Sequence, residues 1–392
     1  MAVPSPWKGF RSNMSRRLYF ADNLRWSMIV LVVFIHASVT YGPLGSWFYR
    51  DSAGVTDTSD TVLAIFGVFV QGFFMGMLFL LAGYFTPGSY QRKGLVRFVK
   101  DRAIRLGVPA LVFIFLIAPP IVYYPNEDYW HEQGTATFIE WLGDYLPDPS
   151  RWDMGPLWFT VALLAFTLAW VGFMSLGDTR ELHEKKRLRQ WHLLLVVFLM
   201  GFASFIVRLW HPIGTDVWNM QLCFFPQYIV LFVLGVLAHS NDWLLGIEKR
   251  MARFWNLILL VLVVAVFPIL TVAGGALEEE TGTDAYFGGL HWQSFAFAMW
   301  VEFYCVAVIV SLIFLYRERF NRQGRVSKYL SDNSFAVYVF HAPVVVGIGI
   351  LLHPVSAPVI LKFLVLALCS LPIIYLLAGF VLRKVPLLKS IL

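Results

Sequence analysis

Residues 255–277 read WNLILLVLVVAVFPILTVAGGAL, with Lys249, Arg250 and Arg253 just before them and Glu278, Glu279 and Glu280 just after. No side chain in this run ionises. As a helix rising about 1.5 Å per residue it spans roughly 34 Å, enough to cross a hydrocarbon core of about 30 Å. A basic strip at one end and an acidic strip at the other orient such a span, because Lys and Arg stay on the cytoplasmic side. The same pattern recurs on both sides of this run. Comparable runs occupy 24–44, 61–86, 106–125, 155–176, 192–211, 222–240, 291–316, 331–353 and 357–382. The chain is therefore expected to be an all-α polytopic membrane protein with about ten transmembrane helices. One transmembrane domain fills 1–392, with a short cytoplasmic segment 1–23, an outer loop 126–154 and no appended soluble domain.

Composition agrees. Hydrophobic residues make up 58% of the chain and charged residues only 14%, against about a quarter charged in soluble domains. The net charge of +6 does not point to nucleic acid, because the basic residues sit in strips between apolar runs. Of 31 Lys and Arg, all but Arg50, Arg151, Arg208 and Lys362 fall on one side. The opposite loops are acidic, with Glu127, Asp128, Glu132, Asp144, Asp148 and Asp284 beside the Glu278 cluster. The positive-inside rule gives one answer at every loop and places both termini in the cytoplasm. Arg208 and Lys362 lie near the outer ends of their spans, where snorkelling is the ordinary explanation. Cys223, Cys305 and Cys369 lie in apolar runs as buried free thiols, with no disulfide framework and no metal spacing.

An ionisable side chain at bilayer depth costs about 2.5–3.5 kcal/mol, so each needs a reason. His36 lies roughly 18 Å into the first span, near the midplane. Arg25 precedes it by eleven residues, close to three turns, so both share one helix face. A cation at the rim and an imidazole at the centre suit a long anionic donor. Glu302 and His341 lie at similar depth in their spans. A carboxylate beside an imidazole orients it, which makes Glu302 the expected partner of His36; an interhelical hydrogen bond is the alternative for Glu302 and an equal one for His341. Arg92, Lys93, Arg97, Lys100, Arg102 and Arg105 form the densest basic strip. Guanidinium pairs such as Arg102 and Arg105 grip phosphate bidentately, and lipid headgroups satisfy the same cluster. Trp158 opens a span on the outer side, as an aromatic-belt residue or a sugar platform.

At these residues the chain resembles the acyltransferase family 3 membrane proteins. The family's arginine, ten residues and histidine match Arg25 and His36. Its FF..SGYF-like segment matches Phe73-Phe74 and Ala82-Gly83-Tyr84-Phe85, with alanine where serine is usual. Its RxxR motif matches Arg102 and Arg105, a PLWF-like segment matches Pro156-Leu157-Trp158-Phe159, and a late SxxxYxxH matches Ser334, Tyr338 and His341. Tyr19-Phe20-Ala21-Asp22-Asn23-Leu24-Arg25 and Pro386-Leu387-Leu388-Lys389 most resemble the subgroup associated with succinylation of periplasmic glucans. The resemblance implies a ten-helix O-acyltransferase of a bacterial inner membrane, multi-pass in the bilayer. It would move an acetyl or succinyl group from cytoplasmic acyl-CoA to a hydroxyl of an extracytoplasmic glycan, with no metal; a homo-oligomer stays open.

On that reading Arg25, Arg102 and Arg105 hold the CoA phosphates. His36 acts as general base or as covalent relay, with Glu302 orienting it. Trp158, Tyr338, His341 and Arg208 face the acceptor. The rival is a transporter or flippase, which also carries mid-membrane charge; acyl-CoA consumption separates the two.

Overall fold

The computed structural model describes residues 17–134, 137–176, 185–276, 278, 282–389 and 391. Most of the segment 1–23, including Arg11 and Arg16, lies outside the described residues, as do Arg180, Glu279 and Glu280. Among the described residues ten helices are long and apolar enough to cross a membrane: α1 (Tyr19–Tyr41), α2 (Asp57–Lys93), α3 (Leu95–Glu132), α4 (Gly155–Leu176), α5 (Gln190–Arg208), α6 (Leu222–Asn241), α7 (Lys249–Ala273), α8 (Trp292–Arg319), α9 (Arg325–Leu352) and α10 (Val359–Lys384). No β-sheet occurs among the described residues; an isolated bridge joins Val217 and Met220.

Several helices run on past their apolar stretches into the basic strips. The strip 87–105 is accordingly not a loop. It is the end of α2 and the start of α3, joined at Gly94, whose φ of +73° suits only a residue without Cβ. Wide π-turns interrupt α3 at Ala103–Gly107 and Phe113–Ile117, and α7 at Leu262–Val266. Each ends two residues before a proline: Pro109, Pro119 and Pro268. Proline lacks an N–H and its ring presses on the carbonyl one turn back, so a widened turn relieves the clash.

Helix α1 packs against α2, α8, α9 and α10. Helices α2 and α6 approach most closely. A Cβ on Gly83 would lie 2.1 Å from the Phe232 carbonyl oxygen, and one on Gly235 2.1 Å from the Leu80 carbonyl oxygen. The paired glycines let the two backbones touch, and a helix pair in lipid is held by such packing.

The loop after α3 is structured. Its helix Phe138–Tyr145 begins with a Thr137–Glu140 capping box, and Tyr123, Trp141 and Tyr145 form a small aromatic core.

The two cations expected to snorkel do not. Lys362 is buried and its ammonium lies 3.2 Å from Asp51 Oδ2. Arg208 is fully buried, its guanidinium between the rings of Phe224 and Phe297. Both found partners inside the bundle that sequence position did not reveal. Of the thiols, Cys223 and Cys305 are buried, whereas Cys369 is exposed on the bundle surface.

Candidate active site

Two cavities, each of about 310 Å³, lie end to end along α1. Arg25 and Ile29 line one; Val32, His36 and Val39 line the other. These positions recur at spacings of four and three, so a single face of α1 runs through both chambers. Arg25 and His36 share that face.

The first chamber sits at the basic face. Arg25, Arg102 and Arg105 all line it, brought together from α1 and α3. Arg102 and Arg105 flank the start of the π-turn at Ala103–Gly107, a feature common at functional sites. Arg25 also pairs with Asp22 at 3.2 Å, while the buried Nε of Arg102 has no hydrogen-bond partner. Three guanidinium groups converging on one cavity, with no carboxylate lining it, fit a phosphate-bearing ligand.

The second chamber holds His36. Its ring is stacked 3.9 Å from Trp47 and 5.1 Å from His341, centroid to centroid. His341 Nδ1 lies 2.7 Å from the Tyr338 carbonyl oxygen. A carbonyl only accepts, so Nδ1 carries the hydrogen and Nε2 keeps its lone pair; that Nε2 has no partner, nor has His36 Nδ1. The remaining walls come from Trp158, Gln71, Tyr228 and the loops that carry Trp47, Asp153 and Asp216. Trp158 stacks on Tyr228 at 5.6 Å.

Tyr338 lines both chambers. Its hydroxyl donates to the Pro156 carbonyl, so this bond forms the partition between them. Gly155, at φ +44°, begins the segment that supplies the carbonyl; a Cβ there would strike Phe48 and Phe113.

Asp153 is fixed just before that segment. Tyr145 donates its hydroxyl to the Ile114 carbonyl in a π-turn of α3 and accepts the Asp153 N–H at 3.1 Å. Asp153 Oδ1 accepts the Gly155 N–H at 2.7 Å. Asn219 Oδ1 accepts the Met154 N–H at 2.8 Å. Asn219 sits with Trp218 in a tight turn at φ +60° and +53°, a geometry that favours Asn-Gly and is strained for tryptophan. Asp216 anchors the turn by accepting the Asn219 N–H. Burial pushes the Asp153 carboxyl above the usual carboxylate range, against the pull of the Gly155 amide and Asn219.

Sequence depth paired Glu302 with His36. The structure gives Glu302 other partners: Ser204 Oγ donates to Oε1 at 2.8 Å and Gln227 Nε2 to Oε2 at 3.0 Å. The same Gln227 amide donates to the Gly72 carbonyl where α2 is broken, next to Gln71. Equal depth fixed one coordinate and left the helix arrangement open. Arg208, expected at the acceptor, lines neither cavity. Sequence reasoning also passed over Trp47, Gln71, Asp153 and Asp216. Gln71 is a lone amide before Phe73 in an apolar run, a signal of the kind that singled out His36.

Over residues 18–379 the chain matches the acyltransferase 3 family, described as an acyltransferase domain, and it belongs to that family. The chain is thus a multi-span membrane protein of an acyltransferase family. Among curated relatives, the chain is similar to the glucans biosynthesis proteins C of Salmonella paratyphi B, Salmonella agona and Salmonella enteritidis, at 26% identity over 235 residues. That match covers 57% of this chain and 58% of each relative, so the chain spans less than two thirds of their length. No solved structure matches it.

Proposed function

We propose that this acyltransferase moves an acyl group, acetyl or succinyl, from acyl-CoA to a hydroxyl of a glycan, a glucan among the acceptors. The CoA phosphates rest on Arg25, Arg102 and Arg105 at the cytoplasmic side. The thioester end passes Tyr338 to reach the second chamber, which faces the opposite side of an inner membrane. His36 takes the proton of the acceptor hydroxyl, and the oxygen attacks the thioester carbonyl carbon. The C–S bond breaks, the ester forms, and the proton leaves with the thiolate as free CoA thiol. General-base action is favoured over a covalent relay because His36 lines the chamber without the arginines. His341, stacked on His36, holds the ring in place, while Glu302 acts at a distance by fixing the break in α2 through Gln227.

The observation that carries the reading is the pair of chambers on one face of α1, cationic at one end and bearing His36 at the other. The test uses purified protein, acetyl- or succinyl-CoA and a gluco-oligosaccharide, with thiol release and product mass measured together. His36→Ala is expected to abolish transfer while acyl-CoA affinity stays within about threefold, since the imidazole acts on the reaction step. Substantial turnover in His36→Ala removes it as the base. Impermeant labelling of cysteines placed in 87–105 from outside intact cells would reverse the orientation.

A further inference from the structure

The two chambers differ in charge. Three arginines line the first, whereas two acidic side chains, Asp153 and Asp216, line the second. Among the described residues no lysine or arginine lines that second chamber. The nearby cations are engaged elsewhere: Arg50 donates to the Gly42 and Gly45 carbonyls, and Arg151 pairs with Asp144 and Asp148.

The acids are also built into place. Asp153 is held by Tyr145, Gly155 and the Asn219 turn; Asp216 anchors that turn, whose left-handed Trp218 and Asn219 carry backbone strain. Strain of this kind persists where the surroundings over-determine it, and it clusters at ligand sites. Trp47 lines the same chamber, and its buried Nε1 has no hydrogen-bond partner. Carboxylate oxygens accept hydrogen bonds from hydroxyls, amides align on them, and indole faces cover the apolar side of a sugar ring. An anionic group entering the same space meets two like charges with no cation to offset them.

We infer that Asp153 and Asp216 determine acceptor specificity, admitting an uncharged polyhydroxyl acceptor and excluding an acidic one. This rests on the proposed function, in which the second chamber takes the acceptor. The same charges bear on the donor: a succinyl thioester would carry its own carboxylate into this chamber, so an uncharged acyl group such as acetyl is favoured.

The experiment compares a neutral gluco-oligosaccharide with its carboxymethyl derivative on the purified full-length protein, by kcat/KM for transfer and by calorimetric binding without donor. Wild type is expected to favour the neutral acceptor at least tenfold in both readouts, less so in high salt. Asp216→Asn keeps an oxygen for the Asn219 amide, so the turn survives. It is expected to bring the preference down to about threefold, and the Asp153→Asn Asp216→Asn double variant lower still, with donor KM unchanged. Equal use and equal binding of both oligosaccharides by wild type would overturn the inference, as would an undiminished preference in a folded Asp216→Asn variant. If neither oligosaccharide is acylated but the neutral one alone binds, the proposed function fails and the charge selection stands.

Discussion

Replacing Glu302 by glutamine tests the buried cluster between α5, α6 and α8. Glu302 is fully buried, and its two oxygens accept from Ser204 at 2.8 Å and Gln227 at 3.0 Å. Glutamine keeps the shape but turns one buried acceptor into an N–H donor facing the Gln227 amide. Losing that charge-assisted bond costs about 1.5–3 kcal/mol, because Gln227 Nε2 already serves both Glu302 and the Gly72 carbonyl. Turning the Gln227 amide to meet the new side chain would aim its oxygen at that carbonyl. The assay is reversible unfolding in mixed micelles, run on Glu302→Gln, Gln227→Met and the double variant. The double variant removes the two facing N–H groups and is expected to lose less than the sum of the singles, with a coupling energy above about 1 kcal/mol. The pH–rate profile of Glu302→Gln is expected to match wild type, whereas a direct partner of His36 would shift it. A cost below about 1 kcal/mol for Glu302→Gln, or strictly additive losses, would refute the reasoning.

Arg102→Lys and Arg105→Lys are each expected to weaken acyl-CoA binding about tenfold in calorimetric titration, since an ammonium lacks the planar fork that grips phosphate. Gly83→Ala places a methyl 2.1 Å from a backbone oxygen, so α2 and α6 must part; a loss of about 1–3 kcal/mol or more is expected in the same unfolding assay. For Asp51, burial alone would raise the carboxyl, but the Ala53 amide, Lys362 and His353 outweigh it and hold it below the usual range. Its contribution to stability is therefore present above the ordinary carboxylate pKa and is lost as pH falls through the depressed one. Asp51→Asn is expected to flatten that acid-side slope in thermal unfolding, and to lower stability at neutral pH by stranding Lys362.

The spans could be read because lipid imposes a one-dimensional rule of length, apolarity and flanking charge. The Arg25–His36 face could be read because helix periodicity is fixed. The meeting of Arg102 and Arg105 with Arg25 on one cavity needed the arrangement of the helices, which the sequence only hinted at through shared depth. Where depth was the sole guide it misled: Glu302 lies level with His36 yet bonds to Ser204 and Gln227. Lys362 looked like a snorkelling cation because its partner, Asp51, is 311 residues away in the chain. The π-turns were within reach, since Pro109, Pro119 and Pro268 each mark a carbonyl that cannot keep its ordinary helical bond.

The Tyr338 partition bears on how the reaction saturates. In a site with one mouth, the reactant that enters first obstructs the second, and an excess of either slows turnover. On the proposed function each reactant has its own doorway, and the two meet past Tyr338, at His36 in the second chamber. Crowding on one side leaves the other approach clear. The rate then levels off with rising donor or acceptor and does not decline, and neither reactant has to bind first.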